Sequence, residues 1–374
     1  MAVELKNFTP LPNFQFANWD AQGKEFGILM VKTAWDILDD GYCVLSQEQE
    51  PFVMTDEFYG EVNQSSVKYT SDLVPFKPET DFILNATAFA PNKEAAKAWD
   101  AAVTIFNANS QQKLIEKVVR IYGPRQWQPA RLGWELTEPR SITHLDVRYE
   151  HAYGGSIVTG NDEQGQPIVE AYEYNPIGCG LIDEQYTKRK HAVSAPQIVD
   201  PNDLITDPFK QYSPVGLGAI PAAWLPRRPL GGTYDQAWLD NTWPKWAKDY
   251  RFSFHNAAAQ GLRCQLPLNA DLQIQLNHLH PDLSLWVINL PHSRLQATLL
   301  QNDQVRHYAL AVDSIYLDIA REQLADPRIF TLSRLVFDRN QTDSILLMSL
   351  DEDKGYSHLQ APPTPEQVTN GNAT

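Results

Sequence analysis

The sequence predicts a mainly β protein: sandwich-like antiparallel sheets, long irregular loops and a few short helices. Three observations lead there. Twenty-six prolines and nineteen glycines cut the 374 residues into short pieces, and long helical periodicity is rare. The C-terminal third alternates apolar and polar residues with the period of two of a half-buried strand. The runs recur at the spacing of paired sheets.

Phe26 to Ile37 reads as an early strand pair, with Gly41 in the turn beyond it. Asp81 to Phe89 is a second apolar run, closed by Pro91. Asn92 to Asp100 fits a short helix or an exposed loop. Leu114 to Tyr122 is rich in β-branched residues, and Gly123-Pro124 stops it. Leu272, Ile274 and Leu276 alternate with Gln273, Gln275 and Asn277, Pro281-Asp282 turns the chain, and Leu283 to Leu290 returns. Leu295 to Leu300 and Val305 to Val312 flank Gln301-Asn302-Asp303-Gln304, which predicts a hairpin. Ile329 to Phe337 and Ser344 to Leu350 flank Asp338 to Asp343, which predicts another. Arg321 to Ala325 fits one helical turn, ended by Asp326-Pro327. Between Tyr149 and Arg251 lies a long run of turn residues with embedded aromatics. Loops of that length are uncommon in compact domains unless they are functional.

Single cores stop growing near ~250–300 residues, so one large or two smaller domains are expected. The division drawn from composition is 1–265 as a β-rich core with long central loops, 266–352 as a β-rich region packed on it, and 353–374 as a flexible tail. From Ala361 onward the tail is rich in Pro, Thr, Asn and Gly, and composition alone predicts disorder.

The formal net charge is -15. That opposes binding to nucleic acid or to anionic lipid and favours a partner with a basic surface. The N-terminus lacks the basic start and apolar run of a secretory signal, and no apolar stretch approaches the length of a membrane span. Cys43, Cys179 and Cys264 are odd in number and far apart, which fits reduced thiols in the cytoplasm.

Enzyme signatures are few. Gly154-Gly155-Ser156 lacks the strand–turn–helix context of a nucleophile elbow, and Gly178-Cys179-Gly180 is not followed by a dinucleotide-binding helix. His278 and His280 would share one face of a strand and could reach one metal, but no carboxylate or cysteine cluster flanks them. They read better as strand-end histidines, and no metal or cofactor is expected. His144 with Asp146, and Glu150 with His151, are acid–histidine neighbours that keep a hydrolase open as an alternative.

The most informative segment is Pro221 to Arg251. It holds Trp224, Trp238, Trp243 and Trp246, with five basic residues against three acidic ones in an otherwise acidic chain. Tryptophan, tyrosine and arginine dominate binding hot spots. The bland reading is that the tryptophans fill a core and the arginines pair with acids. The functional reading is an exposed recognition surface that includes Arg227, Arg228, Tyr234, Asp235, Trp238 and Trp243. A platform of Trp238 and Trp243 would also suit a carbohydrate-binding sandwich. The segment Tyr149-Glu150-His151-Ala152-Tyr153-Gly154-Gly155 has a similar mixture. Asn175-Pro176-Ile177-Gly178 is turn-forming. Tyr149, Glu150, His151, Tyr153 and Asn175 are therefore further candidates for contact with a partner.

In this order, these segments resemble a bacterial family encoded beside type VI secretion spike genes. The matching stretches include Asp72-Leu73-Val74-Pro75-Phe76-Lys77-Pro78-Glu79-Thr80-Asp81 and Arg148 to Gly155. The strongest are Trp224-Leu225-Pro226-Arg227-Arg228 and Gly232-Thr233-Tyr234-Asp235-Gln236-Ala237-Trp238. Two positions depart. Asp249-Tyr250-Arg251-Phe252 stands where the family usually has an acidic triplet, and Ala259 stands where an aspartate is usual. The resemblance implies a non-enzymatic adaptor or chaperone. Its expected partner is a type VI effector with a PAAR-like domain, loaded onto the VgrG spike, which the adaptor would touch only indirectly.

Overall fold

A computed structural model describes residues 3–183, 185, 187, 191–268, 270–350 and 358–370. The fold is mainly β, built of several antiparallel and mixed sheets with a few short helices, and it is not a closed barrel. Its spine is an eight-stranded sheet. Along it run His144–Asp146, Thr80–Phe89, Ala311–Ile319, Arg328–Phe337, Glu25–Ile37 and Asn13–Trp19, with Arg263–Cys264 and Cys43–Leu45 attached at the side. A five-stranded sheet holds Ile198–Val199, Lys113–Tyr122, Ala98–Asn107, Leu272–Asn277 and Leu285–Leu290. A four-stranded sheet holds Glu4–Asn7, Thr342–Ser349, Leu295–Gln301 and Gln304–Ala309.

Residues 26–37, expected as a strand pair, form one strand of 13 residues, Glu25–Ile37. Both of its faces are covered, so apolar residues run continuously instead of alternating. Gly27 lies where a Cβ would stand 2.3 Å from the Phe337 ring, so only glycine lets the two strands approach there. Residues in register share a face. Trp35, Ile329 and Leu317 stand on one face, and Leu29 and Leu335 stand further along the same face. Leu317 and Ile329 join Ile105, Ile115, Ile274 and Ile288 of the five-stranded sheet in the main core. Leu29 and Leu335 join Leu295, Leu299, Ile345 and Leu347 of the four-stranded sheet in a second core. The two smaller sheets thus pack on one face of the large one. Its opposite face mixes apolar residues such as Ile28, Met30 and Phe330 with the buried charges of Lys32 and Arg334.

The expected return of Leu283–Leu290 on Leu272–Asn277 is present, with Ile274 opposite Ile288. The Gln301–Gln304 hairpin is present as well. Its two central residues, Asn302 and Asp303, have φ of 48° and 63°, as a two-residue turn matching strand twist requires. The second expected hairpin is corrected. Arg328–Phe337 pairs inside the eight-stranded sheet and Thr342–Ser349 inside the four-stranded one, so residues 338–341 turn a corner between sheets. Most strand pairs are antiparallel, while Ala311–Ile319 runs parallel to Thr80–Phe89, and Glu4–Asn7 parallel to Thr342–Ser349. Residues 92–100 are neither helix nor loop throughout, since a strand begins at Ala98.

Strands from 266–350 pair with strands from 3–265 in all three large sheets. Of the tail, residues 353–357 and 371–374 lie outside the described residues. Residues 358–370 are ordered by contacts that composition does not reveal. The helix Pro365–Thr369 has a capping box between Thr364 and Gln367, and Val368 is buried beside Phe26, Ile28 and Val336.

Candidate functional site

The eleven candidate residues fall into a buried scaffold and an exposed face. In the scaffold, Asn175 is fully buried, and its Nδ2 donates to Tyr149 O at 2.8 Å and Tyr153 O at 3.0 Å. One side chain therefore staples two distant loops. Glycines make the approach possible: Gly154 has φ of 152°, and a Cβ there would lie 2.1 Å from Asn175 O. Tyr149 is buried, rests edge-on against Trp224 at 5.7 Å, and donates its backbone N–H to Ser66 Oγ. Glu150 accepts both the N–H and the hydroxyl of Ser66. Tyr153 is buried between the rings of Tyr172 and Tyr212. Arg227 is buried, donating from Nε to Phe254 O at 3.0 Å and from Nη1 to Ile220 O. Desolvation pushes its pKa down.

Placed so, Tyr149, Tyr153, Asn175 and Arg227 hold loops together and offer little surface. His151 is half-buried, and burial lowers its pKa. His144 bonds Thr143 Oγ1 through Nδ1 and Arg321 through Nε2. Among the described residues no hydrogen bond joins His144 or His151 to a carboxylate. His278 bonds Asp100 O, while His280 accepts from the backbone of Asp282 and Leu283. Among the described residues no group of three or more His, Cys, Asp or Glu could hold a metal ion. The three cysteines are free thiols, and burial pushes Cys43 up to about 12.

The exposed face is built on the helix Gln236–Asn241, which has no buried residue. Asp235 caps it, accepting from Trp238 N at 2.8 Å. Trp238 is half-buried; its Nε1 donates to Lys245 O at 2.9 Å, and its ring meets Tyr234 edge-on at 4.8 Å. These bonds fix the mount. On it stand Trp243, 64% exposed, with Tyr234 and Leu239, each 51% exposed. Arg228 lies in the open, paired with Glu173 at 2.7 Å. Beside this face a concavity of about 450 Å³ is lined by Trp19, Gly23, Pro244, Lys245 and Trp246. Trp19 and Leu239 were missed by sequence reasoning. Trp19 ends a strand distant in sequence from the tryptophan-rich segment, and only folding brings the two together.

The tryptophan segment thus divides. Trp224 and Arg227 belong to the interior, as the bland reading had it, while Trp243 and Arg228 face outward. The Asp249 of the departing motif is used internally, accepting from Thr233 N and Oγ1.

Fold and site together define a mainly β protein that mounts exposed aromatic rings on a short capped helix. Residues 22–325 match the family described as an uncharacterized protein conserved in bacteria (DUF2169), and the chain belongs to that family. No curated protein and no solved structure matches the chain significantly.

Proposed function

We propose that the protein is a type VI secretion adaptor that binds a PAAR-type effector, stabilises it and helps to load it onto the VgrG spike. The observation that carries the reading is the face of Trp243, Tyr234 and Leu239. Large apolar side chains stand in water there, held by a cap and an indole hydrogen bond rather than by a core. Rigid aromatic anchors of this kind supply binding energy at low entropic cost. The motif order that resembles the secretion-associated family supports the same reading. The net charge of -15 suits a basic effector, and association then slows with added salt. Binding the folded effector stabilises it by mass action. The expected interface is about 1,200–2,000 Å² in total.

The test is co-purification with the effector encoded alongside, in the wild type and in a Trp243→Ala, Tyr234→Ala double variant. The double variant is expected to weaken the complex by about thirtyfold or more while its melting temperature stays unchanged, because both rings are exposed. Failure of the wild type to bind any neighbouring effector or spike protein removes the proposal. So does a double variant that binds as the wild type does. If the wild type instead bound glycans through Trp243 and no effector, the carbohydrate reading would take its place.

A further inference from the structure

Between Tyr153 and Asn175, two members of the buried scaffold, the chain leaves the body as a hairpin. Ser156–Asn161 pairs antiparallel with Pro167–Ala171, and neither strand joins a larger sheet. The root of this arm is fixed. Tyr172 N donates to Gly155 O and Gly155 N to Asn175 O, each at 2.9 Å. The Tyr172 ring meets buried Tyr153 edge-on at 5.3 Å. The tip is fixed as well, since Asp162 Oδ1 accepts from Gln164 N at 2.9 Å and from Gln166 N at 2.8 Å. Beyond the root the arm stands in water. Every residue of Pro167–Ala171 is exposed, and a Cβ at Gly160 or Gly165 would meet nothing within 4 Å.

The backbone of the arm has an open edge. Bonded and non-bonded residue pairs alternate along an antiparallel ladder. Tyr172 and Gly155 are a bonded pair, so Ala171–Ser156 and Val169–Val158 are non-bonded pairs whose N–H and C=O turn outward. Pro167 has no N–H, which confines the usable outer edge to Ile168–Ala171. Elsewhere the chain closes such an edge itself. Gln360 N donates to His307 O at 2.9 Å, and Ala309 N to Gln360 O at 3.0 Å, along the outer strand of the four-stranded sheet. Among the described residues no segment does this for the arm. The side chains name what would. Val158 and Val169 lie opposite each other on one face, 55% and 54% exposed, and Glu170 stands on the other. Residues 156–171 carry Asp162, Glu163 and Glu170 and no lysine or arginine. Two copies meeting edge to edge would bring these carboxylates together, and facing like charges oppose pairing. A strand with basic residues on the Glu170 face and aliphatic residues on the Val169 face satisfies edge, charge and apolar surface at once.

We propose that the arm receives an extended basic segment of another polypeptide, which adds as an antiparallel strand along Ile168–Ala171. Main-chain hydrogen bonds to Val169 and Ala171 hold it, and Glu170 selects its charge. The proposal stands whether or not the aromatic face binds an effector.

The probe is a fluorescent, capped peptide of alternating lysine and valine, titrated into the full chain and followed by fluorescence anisotropy. Saturable binding is expected, with slowed hydrogen exchange at the Val169 and Ala171 amides. The same peptide N-methylated at its valines keeps its charge but cannot donate to the edge. It is expected to bind about tenfold more weakly. Glu170→Lys is expected to weaken the lysine peptide several-fold and to admit a glutamate–valine peptide in its place. A Val158→Thr, Val169→Thr double variant keeps strand propensity and loses the apolar face, again with a several-fold loss. Because these side chains are exposed, the melting temperature of each variant is expected to stay unchanged. No binding of the lysine peptide, equal binding of its N-methylated form, unchanged exchange at Val169 and Ala171, or full binding in both variants overturns the proposal. So does a wild-type dimer in sedimentation that Val169→Pro disperses, which would give the edge to a second copy.

Discussion

His255 lies against the aromatic loops with Nε2 on Tyr250 Oη at 2.7 Å. Burial first, then the charges of Arg227, Lys77 and Arg334, push its pKa down from 6.5 to about 3. Burial likewise pushes His292 to about 4. Both are neutral in the folded protein at neutral pH. The unfolded chain takes up protons near pH 6.5 that the folded chain refuses. The stability these groups contribute is therefore full above about pH 6.5 and is lost as pH falls from there toward 3–4. In denaturant titrations between pH 6.5 and 4, His255→Gln is expected to show a shallower fall in stability, by up to about 1.4 kcal/mol per pH unit. A variant with the wild-type slope would refute the assignment. At this scale the sequence was only half legible. Trp224 and Trp243 sit 19 positions apart in one segment, yet one is 4% exposed and the other 64%. Residue type says that each can anchor a contact; it does not say whether the contact is with the core or with a partner.

Local chemistry decides the elements unevenly. The Leu272–Asn277 and Leu285–Leu290 pair was readable because alternation and the turn between them are both local. The corner at 338–341 was not, because two strands joined by a short loop look alike whether they pair with each other or with different sheets. The helix Pro365–Thr369 went unseen because it buries only Pro365 and Val368, and the partners of Val368 lie at 26, 28 and 336. Its capping box closes through Thr364 N to Gln367 Oε1 at 2.8 Å and Gln367 N to Thr364 Oγ1 at 3.3 Å. Thr364→Ala is expected to destabilise the protein by about 1 kcal/mol in chemical denaturation. Loss of the cap without measurable effect would mean that the helix is dispensable to the fold.

Across the whole molecule, the eight-stranded sheet interleaves distant parts of the chain. Ala311–Ile319 and Arg328–Phe337 stand between Thr80–Phe89 and Glu25–Ile37, so both early strands need the late ones. Three buried ion pairs, Lys32–Asp72, Lys77–Asp81 and Arg334–Asp313, lie on or beside the same sheet. Removing one partner strands the other charge, which typically costs about 3–5 kcal/mol. A fragment of residues 1–265 expressed alone is expected not to fold, having lost the two strands that stand between Thr80–Phe89 and Glu25–Ile37. A monomeric 1–265 fragment with native strand content by circular dichroism would show that the late strands are not required.

The sequence by itself determined the class of fold, the position of its best strands, and the abundance of aromatics and turns in its middle third. Those follow from periodicity and from backbone preferences, which neighbours in the chain express alone. Only the tertiary structure decided which tryptophans face water and that Asn175 joins two loops. Exposure and pairing depend on which distant strands lie over a residue, and sheet partners here lie up to hundreds of positions away.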